Sequence, residues 1–303
     1  MTIIEQLARE LNRPAEHIEN VVRLLDEGNT IPFIARYRKE LHGAMDDTTL
    51  RTLADRLQYL RNLAQRREEI RKSIAAQDKL TDELSAAIDG AATLSELEDL
   101  YRPYKPKRRT RATVAKEKGL EPLALKLFAQ ERDLPAPEEL AQAYVNPDLS
   151  VNTVEEALAG ASDIVAEMIS DDAAIRKTLR SLMQRMAVMR TTAAKGKEEE
   201  TSVYQLYYDF SQPLSKLQGH QVLAINRGER EGFLKASIAV DREQALICVR
   251  RAVLIPGSSA TAFVRTAAED AYDRLIAPSM ERELRTTLTD NANEGAIHNF
   301  ALN

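Results

Sequence analysis

The longest uninterrupted apolar pattern in the chain lies between residues 47 and 77. Apolar side chains recur there at helical spacing, and neither glycine nor proline occurs until Gly90. The positions are Leu50, Leu53, Leu57, Leu60, Ala64, Ile70 and Ile74. Because this spacing puts apolar side chains on one helix face, it predicts one helix of roughly 45 Å over residues 47–77. Other helices are expected to pack around it.

The composition agrees with a helical protein that buries a core. The chain has 303 residues with only 11 glycines and no tryptophan, and 44% of its residues are hydrophobic. The single cysteine, Cys248, excludes a disulfide within the chain and suits a reducing cytoplasm. No signal peptide pattern and no apolar stretch of about 18 residues occurs, so we expect a cytoplasmic protein without membrane spans.

The remaining pattern predicts a mainly all-α, multi-helical fold with three further features. Three short helices before residue 40 resemble a helix-turn-helix arrangement, with Thr2, Pro14 and Pro32 at their starts. Two apolar runs, residues 221–226 and 233–240, flank a turn-rich segment and predict a small β-hairpin. The polar stretch 191–201 is the best linker, so we expect one region over residues 1–195 and another over 196–303.

The sequence contains none of the common catalytic motifs. The four histidines, His17, His42, His220 and His298, are far apart, and none has metal-ligand spacing to another histidine or to Cys248. Neither a phosphate-binding glycine loop nor a nucleophile elbow occurs. We therefore expect no enzyme activity, no metal site and no cofactor.

The densest positive charge lies in residues 102–118, which we call the basic segment. It contains one acid, Glu117, and carries a charge of +7, whereas the whole chain carries −5. Its cations are Arg102, Lys105, Lys107, Arg108, Arg109, Arg111, Lys116 and Lys118. Such clusters most often meet phosphate backbones, and Tyr101 and Tyr104 either stack on bases or anchor the loop. The alternatives are a solvated loop, cations that are satisfied by the acidic remainder of the chain, and an acidic protein partner.

A second, weaker candidate lies in residues 31–43. Ile31, Phe33 and Ile34 have the spacing of an inward face. The cations Arg36, Arg38 and Lys39 are then expected to face outward. They are candidates for further phosphate contacts. The alternative is a capped core helix with exposed cations near its C-terminus.

Several long motifs together resemble the Tex family of bacterial transcription accessory proteins. They are GNTIPFIARYRKELHG at 28–43, LEDLYRPYKPKRRTRATVAKEKGLEPLA at 97–124, LAINRGEREGFLKASI at 223–238 and EGAIHNFALN at 294–303. The resemblance covers essentially the whole chain. It implies a cytoplasmic, nucleic-acid-binding protein with a largely helical N-terminal part and a helix-turn-helix-like element.

The resemblance also implies that full members continue into an RNase H-like domain, helix-hairpin-helix units and an S1 domain, the family's main nucleic-acid binder. We therefore expect this chain to be an N-terminal piece. Its expected role is a non-catalytic scaffold that contacts RNA or DNA backbones without sequence preference, since no residue of the basic segment is expected to read a base. The alternative is a protein-interaction scaffold that docks RNA polymerase, a ribosomal partner or the C-terminal domains.

Overall fold

The fold was established from a computed structural model that describes residues 2–302, with side chains through residue 293. The chain forms two compact units that divide between Tyr104 and Lys105. The whole closing motif at 294–303, including His298, therefore lies outside the residues whose side chains are described.

The first unit contains only helices. They are α1 (Ile3–Leu11), α2 (Ala15–Asp26), α3 (Ile31–Tyr37), α4 (Asp47–Ala75), α5 (Asp82–Gly90) and α6 (Leu94–Tyr101). The predicted long helix is α4, which begins after the N-cap Asp46 and ends two residues before the expected position. Side chains of Thr2, Thr30, Thr81 and Thr93 accept backbone N–H bonds at other helix starts, as short polar caps do.

Helix α4 supports two apolar clusters along its length. Its first half contributes Leu50, Leu53 and Leu57 to a cluster with α1, α2 and α3. Its second half contributes Ile70 and Ile74 to another cluster with α5 and α6. The first unit thus has two small apolar cores along α4 instead of one, because the short helices bury their apolar faces against different halves of α4.

The second unit combines helices with one small sheet. Its helices are α7 (Arg111–Glu117), α8 (Glu121–Ala129), α9 (Pro137–Gln142), α10 (Val154–Asp171), α11 (Ala173–Met186), α12 (Gly219–Arg230), α13 (Arg242–Val253), α14 (Thr261–Asp270) and α15 (Ala277–Leu302). A π-helical turn, Ala271–Ile276, joins α14 to α15. Helix α10 lies at the centre and packs against α7, α8, α9 and α14.

The mainly α-helical fold is confirmed, but the predicted β-hairpin around 221–240 is wrong in its first half. Residues 221–226 belong to α12, and only the second run forms a strand, β3 (Leu234–Ala239). It pairs with β1 (Val188–Ala193), which also pairs with β2 (Asp209–Pro213), so the antiparallel order is β2-β1-β3.

The physical reason for the error is tertiary packing. Val222 and Ile225, three residues apart, are both buried on one face of α12. A Cβ at Gly228 would lie 2.5 Å from Leu234 Cδ1, so this glycine lets α12 approach β3 closely. Packing against the strand therefore outweighs the β propensity of the apolar run.

The expected boundary at residue 195 falls inside the second unit. It directly follows β1, the central strand, whose two partners both come later in the chain. Residues 191–193 of the expected linker therefore belong to β1, and only the rest of the stretch 191–201 lies outside that strand. A division of the chain into regions 1–195 and 196–303 stays a prediction.

An ion pair between α1 and α4 predicts a pH dependence of stability. Arg56 donates from Nε and Nη2 to the two carboxylate oxygens of Glu10, at 2.7 and 2.9 Å. These hydrogen bonds lower the pKa of Glu10 to about 2. The pair therefore stabilises the fold above pH ~4.5 and loses its contribution as the pH falls towards 2. Both side chains are about one-third exposed, so we expect at most about 1 kcal/mol.

The test compares the native chain with Arg56→Gln in urea unfolding over that pH range. The difference in free energy of unfolding should shrink towards low pH. A constant part will remain, because Arg56 also lies over the Tyr59 ring at 5.0 Å. A difference that does not change with pH would contradict the prediction.

Candidate nucleic-acid interface

The basic segment crosses the division between the two units. Arg102 is the C-cap residue of α6 and belongs to the first unit, whereas the other seven cations belong to the second unit. Residues 105–110 form no helix or strand, as expected from Pro103 and Pro106. Six of the cations are exposed, and Arg102 and Lys118 are partly buried.

The two tyrosines at the start of the segment anchor it. Tyr101 is buried, and its hydroxyl lies 2.9 Å from Ser73 Oγ on α4. Tyr104 is half-buried, and its carbonyl accepts a hydrogen bond from Gln77 Nε2 at 2.9 Å. Of the two expected roles, the structure therefore favours anchoring for Tyr101, whose ring is not available to stack on a base.

Several cations of the segment have partners within the second unit. Lys107 Nζ pairs with Asp171 and lies 3.6 Å from Glu167, both on α10. Lys116 Nζ lies 2.9 Å from Glu121, and Lys118 Nζ donates to the Ser150 carbonyl at 3.0 Å. For Lys107 and Lys116 the expected alternative of pairing with acids of the chain describes the structure, whereas Lys118 is held by a backbone carbonyl. The ion pairs of Lys107 hold the extended segment against α10.

The cations between these anchors are different. Lys105, Arg108 and Arg111 form no ion pair within the described part of the chain. Arg109 pairs with Glu117 at 2.9 Å, but the two side chains are 71% and 60% exposed, so the pair contributes little and opens easily. Lys105, Arg108, Arg109 and Arg111 therefore present positive charge to solvent.

The second candidate, in the first unit, presents fewer free cations. Arg38 donates to the Tyr37 carbonyl at 3.2 Å and lies over the Phe33 ring at 5.3 Å. Arg36 and Lys39 are exposed and have no ion pair among the described residues. All three lie at or just after the C-terminal end of α3. The helix dipole favours cations at such an end, so their position is explained without a nucleic acid.

The charged outer face of α4 is internally compensated. Arg61 binds Asp26 on α2, Arg66 binds Glu98 on α6 and Arg71 binds Asp89 on α5. Arg67 donates to the carbonyls of Ile88 and Ala91 at 3.2 and 2.6 Å. These arginines connect the short helices to α4, which leaves them less available to a phosphate backbone.

In the described part of the chain, no three His, Cys, Asp or Glu side chains are grouped so as to hold a metal ion. Within the same residues, no helix is long and apolar enough to cross a membrane.

Comparisons with known proteins agree with the sequence motifs. Residues 1–75 match the family model for the Tex-like protein N-terminal domain. Residues 133–300 match the model described as Tex central region-like. The basic segment lies between these two matched regions.

Three relatives illustrate the similarity. The chain is 44% identical over 303 residues to the Bacillus subtilis protein YdcI, covering 99% of this chain and 42% of that protein. It is 39% identical over 313 residues to the Transcriptional accessory protein Tex of Neisseria gonorrhoeae, covering 100% and 40%. It is 30% identical over 300 residues to the human S1 RNA-binding domain-containing protein 1, covering 94% and 30%.

The chain spans less than half the length of each of these relatives. The central-region model alone covers more than half of the chain. By these matches, the chain belongs to the Tex family of transcription accessory proteins.

Proposed function

We propose that this chain is a non-catalytic scaffold that contacts nucleic-acid phosphates through its basic segment. The observation that carries the proposal is the group of exposed cations at 105, 108, 109 and 111, which are unpaired or weakly paired in a chain of net charge −5. Concentrating like charges costs self-repulsion, which a polyanion relieves. Release of counterions from the polyanion then supplies binding free energy.

The other cations receive lesser roles in this proposal. Lys107 positions the segment, while Lys116 and Lys118 at its C-terminal end stay available to weaker contacts. Arg102, Arg36, Arg38 and Lys39 of the first unit are auxiliary phosphate contacts. We propose the helix-turn-helix-like arrangement of α1 to α3 only as their support. The contacts of these cations are non-specific, because they meet phosphates rather than base edges.

The names of two relatives support a nucleic acid as the partner. One is named for transcription and another for an S1 RNA-binding domain. We therefore propose RNA or DNA as the partner and the cytoplasm as the place of action. Those names describe much longer proteins, so the whole protein's activity is itself part of the proposal.

The experiment removes three of the four free cations and leaves Lys105 and the anchor Lys107 intact. In the variant Arg108→Ala, Arg109→Ala, Arg111→Ala, the slope of log affinity against log salt on duplex DNA should become shallower by about 3 units, near 0.9 per lost phosphate contact. The measurement is a salt titration of fluorescence anisotropy with duplex DNA and single-stranded RNA.

A matched control removes three cations that have partners. Arg61→Ala, Arg66→Ala, Arg71→Ala changes the net charge equally but breaks the ion pairs of α4. Circular dichroism should show that it remains folded, and its salt slope should stay near that of the native chain. Equal slopes for all three proteins, or no binding by the native chain at low salt, would refute the proposal.

A protein-interaction scaffold is the second candidate, favoured by one separate observation. Val203 and Leu206 are 84% and 86% exposed. Their loop is nevertheless held by hydrogen bonds from Tyr204 to Glu231 and from Tyr208 to the Glu200 carbonyl. Ordered loops with exposed apolar side chains are typical of docking surfaces. RNA polymerase, a ribosomal partner or C-terminal domains of a longer protein are the partners this candidate would serve.

A further inference from the structure

A groove of about 670 Å³ lies beside the basic segment in the second unit, between α7 and α10. Its apolar wall includes Val114, Leu120 and Ala159. Charged side chains also line it, namely Arg109, Arg111, Lys118, Glu156 and Asp163. This volume falls within the range of small-molecule sites, which combine an apolar lining with few polar groups.

The groove owes its shape to a close approach of the polypeptide around α10. A Cβ added to Gly160 would lie 2.3 Å from Leu120 Cδ1 and 3.3 Å from Ala115 Cβ. A side chain at this position would force Leu120 to move and would press on Ala115, so the glycine favours the close approach of α10 to α7 and to the turn after it. Ala159, which precedes Gly160, is exposed and faces the groove.

Asp163 supplies a fixed acceptor at the border of the groove. Its Oδ1 accepts from Arg274 Nη2 at 3.2 Å, and Arg274 is itself held by Asp270 at 2.6 Å. Its Oδ2 accepts no hydrogen bond from the described residues. Burial raises the pKa of Asp163, while Arg274 and Arg111 oppose that shift. Arg274 lies in the π-helical turn, and such turns occur frequently at functional sites.

We infer that this groove takes one unpaired base of a single strand whose phosphates lie on Arg109 and Arg111. The apolar wall suits the face of a base, the free Asp163 oxygen suits a base N–H donor, and the two arginines suit the adjoining phosphate. The inference rests on the proposed function and adds to it. It specifies a single strand, because a paired base is stacked inside the duplex and cannot enter the groove.

The acceptor also predicts a preference among bases. Guanine presents two neighbouring N–H donors on its pairing edge, whereas uracil presents one between two carbonyls. A carboxylate oxygen therefore favours guanine. The same chemistry occurs in a free guanine nucleotide, but one phosphate contacts fewer cations than a strand does, so the strand should bind more tightly.

The experiment measures anisotropy with short strands of one length: one of mixed sequence containing guanine, one with uracil in place of guanine, and one abasic. The native chain should bind the mixed strand about tenfold more tightly than the abasic strand, the effect of removing about 60 Å² of apolar surface from water. Ala159→Leu fills the groove and should abolish that difference. Ala262→Leu, at an exposed position on α14 outside the groove, should preserve it.

A second variant and a competitor make the outcomes distinct. Asp163→Asn should remove the guanine preference but keep the advantage over the abasic strand. If mixed and abasic strands bind the native chain equally, with a steep salt dependence, the groove inference is wrong and the phosphate proposal stands. If no strand binds, the proposed function itself fails. If free guanosine monophosphate binds the native chain as tightly as the strand does, the single-strand assignment is overturned.

Discussion

Replacing Glu283 with glutamine is expected to lower the free energy of unfolding by about 3 kcal/mol. Glu283 on α15 serves two arginines of α11, Arg176 and Arg180, which are only 2% and 8% exposed. Arg180 Nε lies 2.5 Å from Glu283 Oε1, and Arg176 Nη2 lies 3.5 Å from Oε2. One carboxylate therefore balances charge from two buried guanidinium groups.

The expected loss is large because neither arginine can give up its charge. A guanidinium stays protonated at any pH that a folded protein survives, so burial cannot be relieved by titration. Without the carboxylate, both ions lose a charged partner in a poorly hydrated setting, so part of what offsets their desolvation is removed. Equilibrium urea unfolding followed by circular dichroism measures the loss.

The matched control is Asp273→Asn, which breaks the pair between Arg242 and Asp273 in the same unit. Those side chains are 54% and 46% exposed, so the loss should be much smaller than for Glu283. Changing Arg176, Arg180 and Glu283 together to Met, Met and Leu should recover most of the lost stability, since these three charges then leave the interior together. Similar small losses at Glu283 and Asp273 would show that the buried cluster is not strongly coupled.

Local signals in the sequence were sufficient for the helices of the first unit. The apolar spacing along α4 and the N-cap Asp46 are both properties of neighbouring residues, so they can be read without knowing the fold. The sheet could not be predicted in this way. β1 begins at Val188 and continues into the expected linker. It is stabilised by pairing with two strands that come later in the chain.

The candidate interface shows the same limit. The sequence marks the cations of the basic segment, but their pairing depends on distant residues. Lys107 finds Asp171 on α10, 64 residues later in the chain. The groove likewise joins α7 and α10, and the Arg274 that holds Asp163 lies 111 residues after it. Only packing brings these residues together, so no local motif could have indicated them.

Gly43, in the motif at 28–43, is expected to be the most sensitive glycine of the first unit. Its φ is +61°, a conformation that costs other residues about 1–2 kcal/mol. A Cβ there would also lie 2.2 Å from Nδ1 and 2.4 Å from Cε1 of His17 on α2. Gly43→Ala should therefore lower the free energy of unfolding by about 2–4 kcal/mol, as strain and overpacking combine. Urea unfolding measures the change.

Two further variants separate the steric contribution from the backbone contribution. Gly28 also has a positive φ, +84°, but a Cβ there would meet nothing within 4 Å. Gly28→Ala should therefore show the backbone cost alone, partly offset by the lower entropy of the unfolded chain. In a double-mutant cycle, His17→Ala should recover about 1–2 kcal/mol of the loss at Gly43. If Gly43→Ala costs no more than Gly28→Ala and shows no coupling to His17, the glycine is required for its backbone angle alone.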